Sequence, residues 1–538
     1  MAQRRGGGNI RALPGPRGIA AARYRAPVTA SLASLEPLGD RAVRVAIVSA
    51  DEGRALAAAL RVTGDVDDAW HTETHVAFTP RPGVDAAALI AAADADPDVA
   101  AALWQPAHGA AAVAAPARTH VLAVELDGPD VDEVALAARM SRDELARVLL
   151  STELVVSFLG FAPGFAYLRG LDARLHLPRR TSPRARVPAG ALAIGGGFAA
   201  IYPAATSGGW HLVGRALAPM WTDGEPRVAA GDRVRLVRAG DAAADRAGAP
   251  DVALPAPARA DAAVIIEDVR GLTFVQDGGR VGHMHQGMPP AGALVPSALA
   301  RANHAVGNAP GAAGLERYGA LRLHATAPTT IATDDGTVHA LAAGASIELP
   351  WVAHARCGYV AIAGGVDVPV VLGGRGTHVR AQLGGLEGRP LRRGDRLPIP
   401  TSTSTSISTS ASPSPAAPAP AVDDRVIRLL PGPDVARFAP GALDTLVGTT
   451  WRLAHASDRM GTRLDGATLP HAPGTTTAAS APFVLGAVEV PPDGVPFVLG
   501  PEHPTTGGYP VIAHVVSADL DAFHARPLGA TVRFRLPG

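Results

Sequence analysis

The 538-residue chain contains no lysine. A Walker A lysine, a Schiff-base lysine for pyridoxal phosphate and a biotinyl-lysine carrier are therefore excluded. An anionic group can be held only by arginine, by backbone amides or by a metal. Arginine suits carboxylates and phosphates, because its planar fork makes two parallel hydrogen bonds. Cysteine is almost absent as well. Cys357 stands alone, which excludes an intrachain disulfide and a cysteine-based zinc site and fits a reducing cytoplasm. Within the strand-like run "WVAHARCGYVAIAGG" it reads as a small buried apolar group. Net charge is lacking too: 49 basic and 49 acidic side chains cancel, so no nucleic-acid partner is expected. No uncharged apolar run of about 18 residues occurs, and no membrane span is expected. The start, "MAQRRGGGNIRALPGPRG", lacks the apolar stretch of a secretory signal.

What is present points to several domains, since single cores rarely exceed about 250–300 residues, and 47% hydrophobic content is ample for them. Residues 1–30 read as a disordered basic tail. Residues 31–115 read as a small α/β module, with strands at "RAVRVAIV" and "THVAFTP" and a helix at "DEGRALAAALRVTG". After the helical stretch "DVDEVALAARMSRDELARVLLS", helices nearly vanish. Short alternating runs broken by Gly, Pro and Asp signal antiparallel barrels or sandwiches across 116–240, 263–400 and 423–538. Residues 241–262 form a soft linker, and the Ser/Thr/Pro/Ala run of 401–422 an unmistakable one. The predicted fold class is α+β, mainly β.

One element occurs twice. "TSGGWHLVG" runs from Thr206 and "TTGGYPVIA" from Thr505, each behind a matching line: "VPAGALAIGGGFAAIYPAA" and "FVLGAVEVPPDGVPFVLGPEHP". The repeat predicts two domains of related topology. Each should place a Gly-Gly backbone at the rim of a cleft, with Trp210 or Tyr509 against it. Such pairs permit positive φ and close approach. Arg179 or Arg184 should border the first cleft, and His503 with Thr505 the second. "PRRTSPRAR" gathers Arg179, Arg180, Arg184 and Arg186, either converging on an anion or forming a solvated charge run. In "QDGGRVGH", Asp277 binds magnesium or orients Arg280, or the two fix a turn. The same alternatives hold for Asp458 and Arg459 in "SDRMGTRL". His283 and His285 share a strand face without an evident third ligand, so no metal site is expected.

These strings closely resemble a known family. "FLGFAPGFAYLRGL", "LPRRTSPRARVPAGALAIGGGFAAIYP" and "SGGWHLVGRA" resemble the B-type component of bacterial 5-oxoprolinase, a family also called kinase-A-inhibitor type or the first allophanate-hydrolase subunit. "VQDGGRVGHMHQGMPPAGA", "ANHAVGN", "SDRMGTRLDG" and "TTGGYPVIAHVVSADL" look like its C-type component. The chain thus resembles a B–C fusion. The resemblance implies a cyclophilin-like barrel in 116–240 and a carboxyltransferase domain over 263–400 and 423–538, the latter part again cyclophilin-like.

It also implies ATP-dependent hydrolysis of 5-oxo-L-proline to L-glutamate, with ATP and Mg2+ as cofactors, a small lactam or amide as substrate and a separate A-like protein as partner. Without that partner the chain should be inactive. A lactam is a poor electrophile, and activating its carbonyl calls for cations, a carboxylate anchor and a general base. Asp277, Arg280 and Arg179 are the expected catalytic residues. Arg184, Gly208, Gly209, Trp210, Arg459, Thr505, Gly507, Gly508 and Tyr509 are expected to bind substrate or nucleotide. Two alternatives stand beside this reading. One is a urea-carboxylase-like carboxyltransferase module, which needs a carboxylase and a biotinyl domain in trans. The other is a non-enzymatic kinase-inhibitor module. Val295 and His524, where the C-type pattern carries an aspartate and a glutamine, favour the latter.

Overall fold

The computed structural model describes residues 35–95, 116–240, 262–400 and 426–537, apart from 64, 82, 83, 85, 181, 223, 352, 353, 477 and 478. The expected tail, the 401–422 linker and all but the last residue of the 241–262 linker lie outside the described residues.

The chain opens with an antiparallel sheet in the order Glu36–Leu38, Ala42–Ala46, His75–Pro80, Val66–His71. Helix Ala50–Thr63 packs Leu56 and Leu60 onto Val43, Val45 and Phe78; residues four apart share a helix face. The helix begins there because Ser49 caps it and Glu52 fastens the residue before the cap. Ser49 Oγ accepts the Glu52 N–H at 3.2 Å, and the Glu52 carboxylate accepts the Val48 N–H at 2.8 Å.

A closed barrel of seven strands follows. Its order is Phe198–Ile201, Ala166–Arg169, Glu153–Leu159, Arg233–Arg238, Thr119–Glu125, His211–Ala216, Ala191–Gly195. Leu122, Val156, Ile194 and Leu236 form its aliphatic interior, and helix Arg142–Ser151 adds Leu145 and Leu149. In the next segment a four-stranded and a five-stranded sheet share a core built on Val264, Leu315, Leu323 and Val360.

The last segment is an eight-stranded sheet whose two edge strands, Thr531–Val532 and Phe534–Arg535, are separated only by Arg533. Consecutive strands can occupy opposite edges only if the sheet curls into a nearly closed barrel.

The two barrels share a connection pattern. In the first, Ala191–Gly195 lies between Phe198–Ile201 and His211–Ala216; in the second, Ala487–Glu489 lies between Phe497–Leu499 and Val511–Val515. In each, the next strand, Thr119–Glu125 or Ile427–Pro431, runs parallel to the last one. Each also carries a side ribbon: Arg184–Val187 with Thr206–Gly208, and Ala481–Pro482 with Thr506–Gly507. A further repeat, "GPD", stands at the same place in both. Asp130 Oδ2 accepts the Leu212 N–H at 2.7 Å, and Asp434 Oδ2 accepts the Val511 N–H at 2.9 Å. The repeated line is therefore a structural duplication. No helix among the described residues is long and apolar enough to cross a membrane.

Candidate functional site

The two ribbons line one cleft, not two. Phe161, Tyr167, Arg179, Tyr202, Gly208 and Trp210 of the first barrel share a cavity of about 180 Å³ with Ser480, Phe483, Glu489, Gly507, Gly508 and Tyr509 of the second. The expectation of a separate cleft in each barrel is thus corrected. The reason for the glycines is corrected in part. Gly208, Gly209, Gly507 and Gly508 are not among the positive-φ residues. A Cβ on Gly208 would overlap the hydroxyl end of Tyr202, and one on Gly507 would overlap the Phe483 ring. Close approach of an aromatic ring to backbone explains both. At Gly209 the nearest atom would stand at 3.7 Å, so this second glycine is not sterically required.

Aromatic packing stiffens the first wall. Trp210, 6% exposed, meets Phe165 and Tyr167 edge-on with ring centroids 5.6 Å apart in each case. Phe161 is held at φ 64°, a region strained for a non-glycine residue. Arg179 reaches across the cleft, its Nη2 donating to Ser480 Oγ at 3.1 Å. It makes no ion pair among the described residues. The Ser480 hydroxyl can donate in turn to the Tyr167 oxygen at 3.5 Å.

Glu489 faces this wall from the second barrel. Its carboxyl has no hydrogen-bond or ion-pair partner among the described residues, and burial pushes its pKa up to about 8. It is therefore mostly a neutral acid at pH 7, able to donate a proton. Burial raises the Tyr509 phenol, and the Glu489 charge adds to this while Arg179 opposes it. His503 borders a narrow extension of the cleft beside Phe161 and Met460, with its imidazole pushed down to about 4 by burial.

Several expected residues lie elsewhere, each for an identifiable reason. Arg184 donates to Asp130 Oδ1 at 2.6 Å and so ties its ribbon to the "GPD" turn. Arg459 is buried between Glu502, at 2.6 Å, and Glu316. Thr505 is fully buried, and its carbonyl accepts the Trp70 indole N–H at 3.1 Å, locking the first module to the second barrel. Asp277 accepts the backbone N–H groups of Gly279, at 2.9 Å, and Arg375. Arg280 donates to the carbonyls of Val371, at 2.9 Å, and Gly376. Asp277 and Arg280 thus organise buried glycine-rich loops and make no ion pair with each other. None of these five lines the cleft. Among the described residues no group of three or more His, Cys, Asp or Glu is placed to hold a metal.

The comparisons with known proteins agree with this architecture. A family model described as "Carboxyltransferase domain, subdomain C and D" matches residues 33–230, and one for "subdomain A and B" matches 286–536. The chain is similar to the C-type component of 5-oxoprolinase from Escherichia coli (strain K12), at 35% identity over 277 residues, 49% of this chain and 87% of the relative. This chain belongs to the carboxyltransferase-domain family of 5-oxoprolinase components. It joins a B-type and a C-type half in one polypeptide. The B-type half is 40% identical to the B-type component of 5-oxoprolinase from Bacillus subtilis (strain 168) over 114 residues, 21% of this chain and 48% of that relative. The crystal structure of TTHA0988 superposes with a TM-score of 0.75 at 28% identity, covering 92% of this chain and all of the other.

Within this B–C chain, sequence reasoning overlooked Glu489, Tyr202 and Ser480. A signal for Glu489 was present. Aligning "GALAIG" with "GAVEVP" puts Glu489 on Ala193, and the register agrees: Ala193 pairs with Leu212, and Glu489 with Val511. The leading glycines match too, with φ 80° at Gly190 and 83° at Gly486. An acid at an inward position of an otherwise apolar strand marks a site that tolerates burial of a carboxyl.

Proposed function

We propose that the chain is the fused B–C component of a 5-oxoprolinase, which converts 5-oxo-L-proline, ATP and water to L-glutamate, ADP and phosphate together with a separate A-type protein. The cleft between the barrels receives the lactam. The observation that carries this reading is the neutral, buried Glu489 facing Arg179 across a small aromatic-walled space. Arg179 holds the substrate carboxylate, and a planar fork suits that anion. In this reading the Glu489 proton goes to the lactam nitrogen, which must be protonated as it departs when the ring opens. The rings of Phe161, Tyr202 and Trp210 limit water around the reacting amide.

The nucleotide does not fit this cleft. Drug-sized ligands fill about 300–1,000 Å³, against the roughly 180 Å³ available here. We assign ATP to the A-type partner or to its interface with this chain, and no step above passes through it.

The test is glutamate formation from 5-oxo-L-proline and ATP by the purified chain, with and without an A-type partner. Conversion should need both proteins, and Glu489→Gln should lower kcat by about 10²–10⁴, the usual weight of a general acid. Robust turnover by the chain alone, or full activity of the variant, would overturn the assignment.

A further inference from the structure

A second cavity, of about 490 Å³, opens in the C-type half and shares no lining residue with the cleft. It lies where helix Pro296–Ala305 and the strands Gly314–Arg317 and Gly358–Ile362 meet helix Leu520–His524. Its wall contains an arginine that the fold leaves half used. Arg317 is 3% exposed. Its Nη1 donates to the carbonyls of Gly319, Leu349 and Pro350 at 3.1, 3.3 and 2.7 Å, which fixes the guanidinium plane. The opposite edge has no such partners: Nε is buried without one, and Nη2 makes no hydrogen bond among the described residues. Leaving a buried donor of a charged group unsatisfied is costly.

A carboxylate stands nearby without closing the gap. Asp334 accepts the Tyr359 N–H at 3.0 Å and makes no ion pair with Arg317 among the described residues. Burial raises the Asp334 carboxyl and lowers the Arg317 guanidinium, so each is short of counter-charge. The neighbouring charges offset this only in part: Arg301 and Arg317 act on Asp334, and Asp334 and Asp335 on Arg317, but burial outweighs them. Asp335 is engaged by the Thr333 hydroxyl and the Thr337 N–H, and Arg301 Nε donates to the Asp334 backbone carbonyl. Gly358, paired with Arg317 across the strands, has no side chain to cover the space between Arg317 and Asp334. A Cβ there would stand 3.5 Å from Arg317 Nε, 3.6 Å from Nη2 and 3.6 Å from Asp334 Oδ1. With no side chain at Gly358 to intervene, one small molecule approaching over this glycine reaches both charges.

We infer that this cavity binds a free α-amino acid, its carboxylate on the Nε–Nη2 edge of Arg317 and its ammonium on Asp334. A simple carboxylate would satisfy the arginine and leave Asp334 facing a like charge. A simple amine would do the reverse. An α-amino acid carries both charges on one carbon, matching a cation and a carboxylate that flank a single glycine. The inference does not depend on what the cleft does.

Calorimetric titration of the full chain tests it, with L-alanine and L-glutamate as ligands and acetate and ethylamine as single-charge controls. The amino acids should bind saturably and each control at least about tenfold more weakly. Gly358→Ala puts a methyl group between the two charges, at ordinary contact distances that spare the fold. Asp334→Asn keeps an acceptor for the Tyr359 N–H. Each variant should weaken amino-acid binding by about tenfold or more. No saturable binding up to about 10 mM, equal binding of either control, or an affinity that either variant leaves unchanged overturns the site. The ligand comparison needs no variant and decides even if one folds poorly. Binding lost in Arg179→Ala but kept in Gly358→Ala would place the ligand in the cleft and refute the inference.

Discussion

Glutamine at position 489 would remove one ionisable group and keep nearly the same shape. The folded chain holds the Glu489 proton up to about pH 8, whereas the unfolded chain releases it near 4.5. Between these values the folded state binds the extra proton, so stability is lost as pH rises, at about 1.4 kcal/mol per pH unit. From pH 4.5 to 7 the loss reaches about 3 kcal/mol if the cleft stays dry, and less where water enters it. Glu489→Gln has no such loss. The burial penalty of its amide is the same at every pH and cancels when the two proteins are compared across pH. The assay is thermal melting of both proteins from pH 4.5 to 9. The offset between their Tm values should move in favour of the variant by roughly 6–12 °C between pH 4.5 and 7, for a melting unit of about 150–250 residues. Above pH 8 the offset should level off, because both states are then ionised. A constant offset at every pH would refute the buried, proton-holding carboxyl, and with it the acid role.

Four further outcomes follow from the geometry. Gly208→Val should cut partner-dependent turnover by about 10²-fold or more and cost about 1–3 kcal/mol through overpacking against Tyr202, whereas Gly209→Ala should leave both nearly unchanged; equal behaviour of the two contradicts the close-approach explanation. Arg179→Ala should raise KM about tenfold or more with a smaller change in kcat. Arg184→Ala should instead lower the Tm and leave KM alone, because its partner is Asp130. Arg459→Met should destabilise the C-type half by about 3–5 kcal/mol, since Glu316 and Glu502 lose their buried counter-charge; a normal melt would show that the pair is better solvated than its burial indicates.

The mainly-β class and the duplication were legible, because alternation and self-similarity are local properties of the string. The meeting of the two copies across one cleft was not. It depends on contacts between residues hundreds of positions apart, such as Arg179 on the Ser480 hydroxyl, at 3.1 Å. Arginines were the hardest to place. A sequence shows that Arg179, Arg280 and Arg459 are cations but not how each charge is used. Buried carbonyls occupy Arg280, buried carboxylates occupy Arg459, and Arg179 spans an open cleft. Glu489 was within reach, but only by comparing the copies position by position, which exposes an acid where its counterpart is alanine.

That difference between Ala193 and Glu489 has a consequence for how such a site can arise. In a symmetric pair of identical chains every substitution appears on both sides of the interface. A glutamate at this position would then be present twice. If the two met across one cleft, like charge would split their proton affinities and leave one shared proton. In a tandem duplication each copy mutates alone. One barrel can then supply the cation, Arg179, and the other the acid, Glu489, so two barrels of like topology can line one cleft with unlike groups.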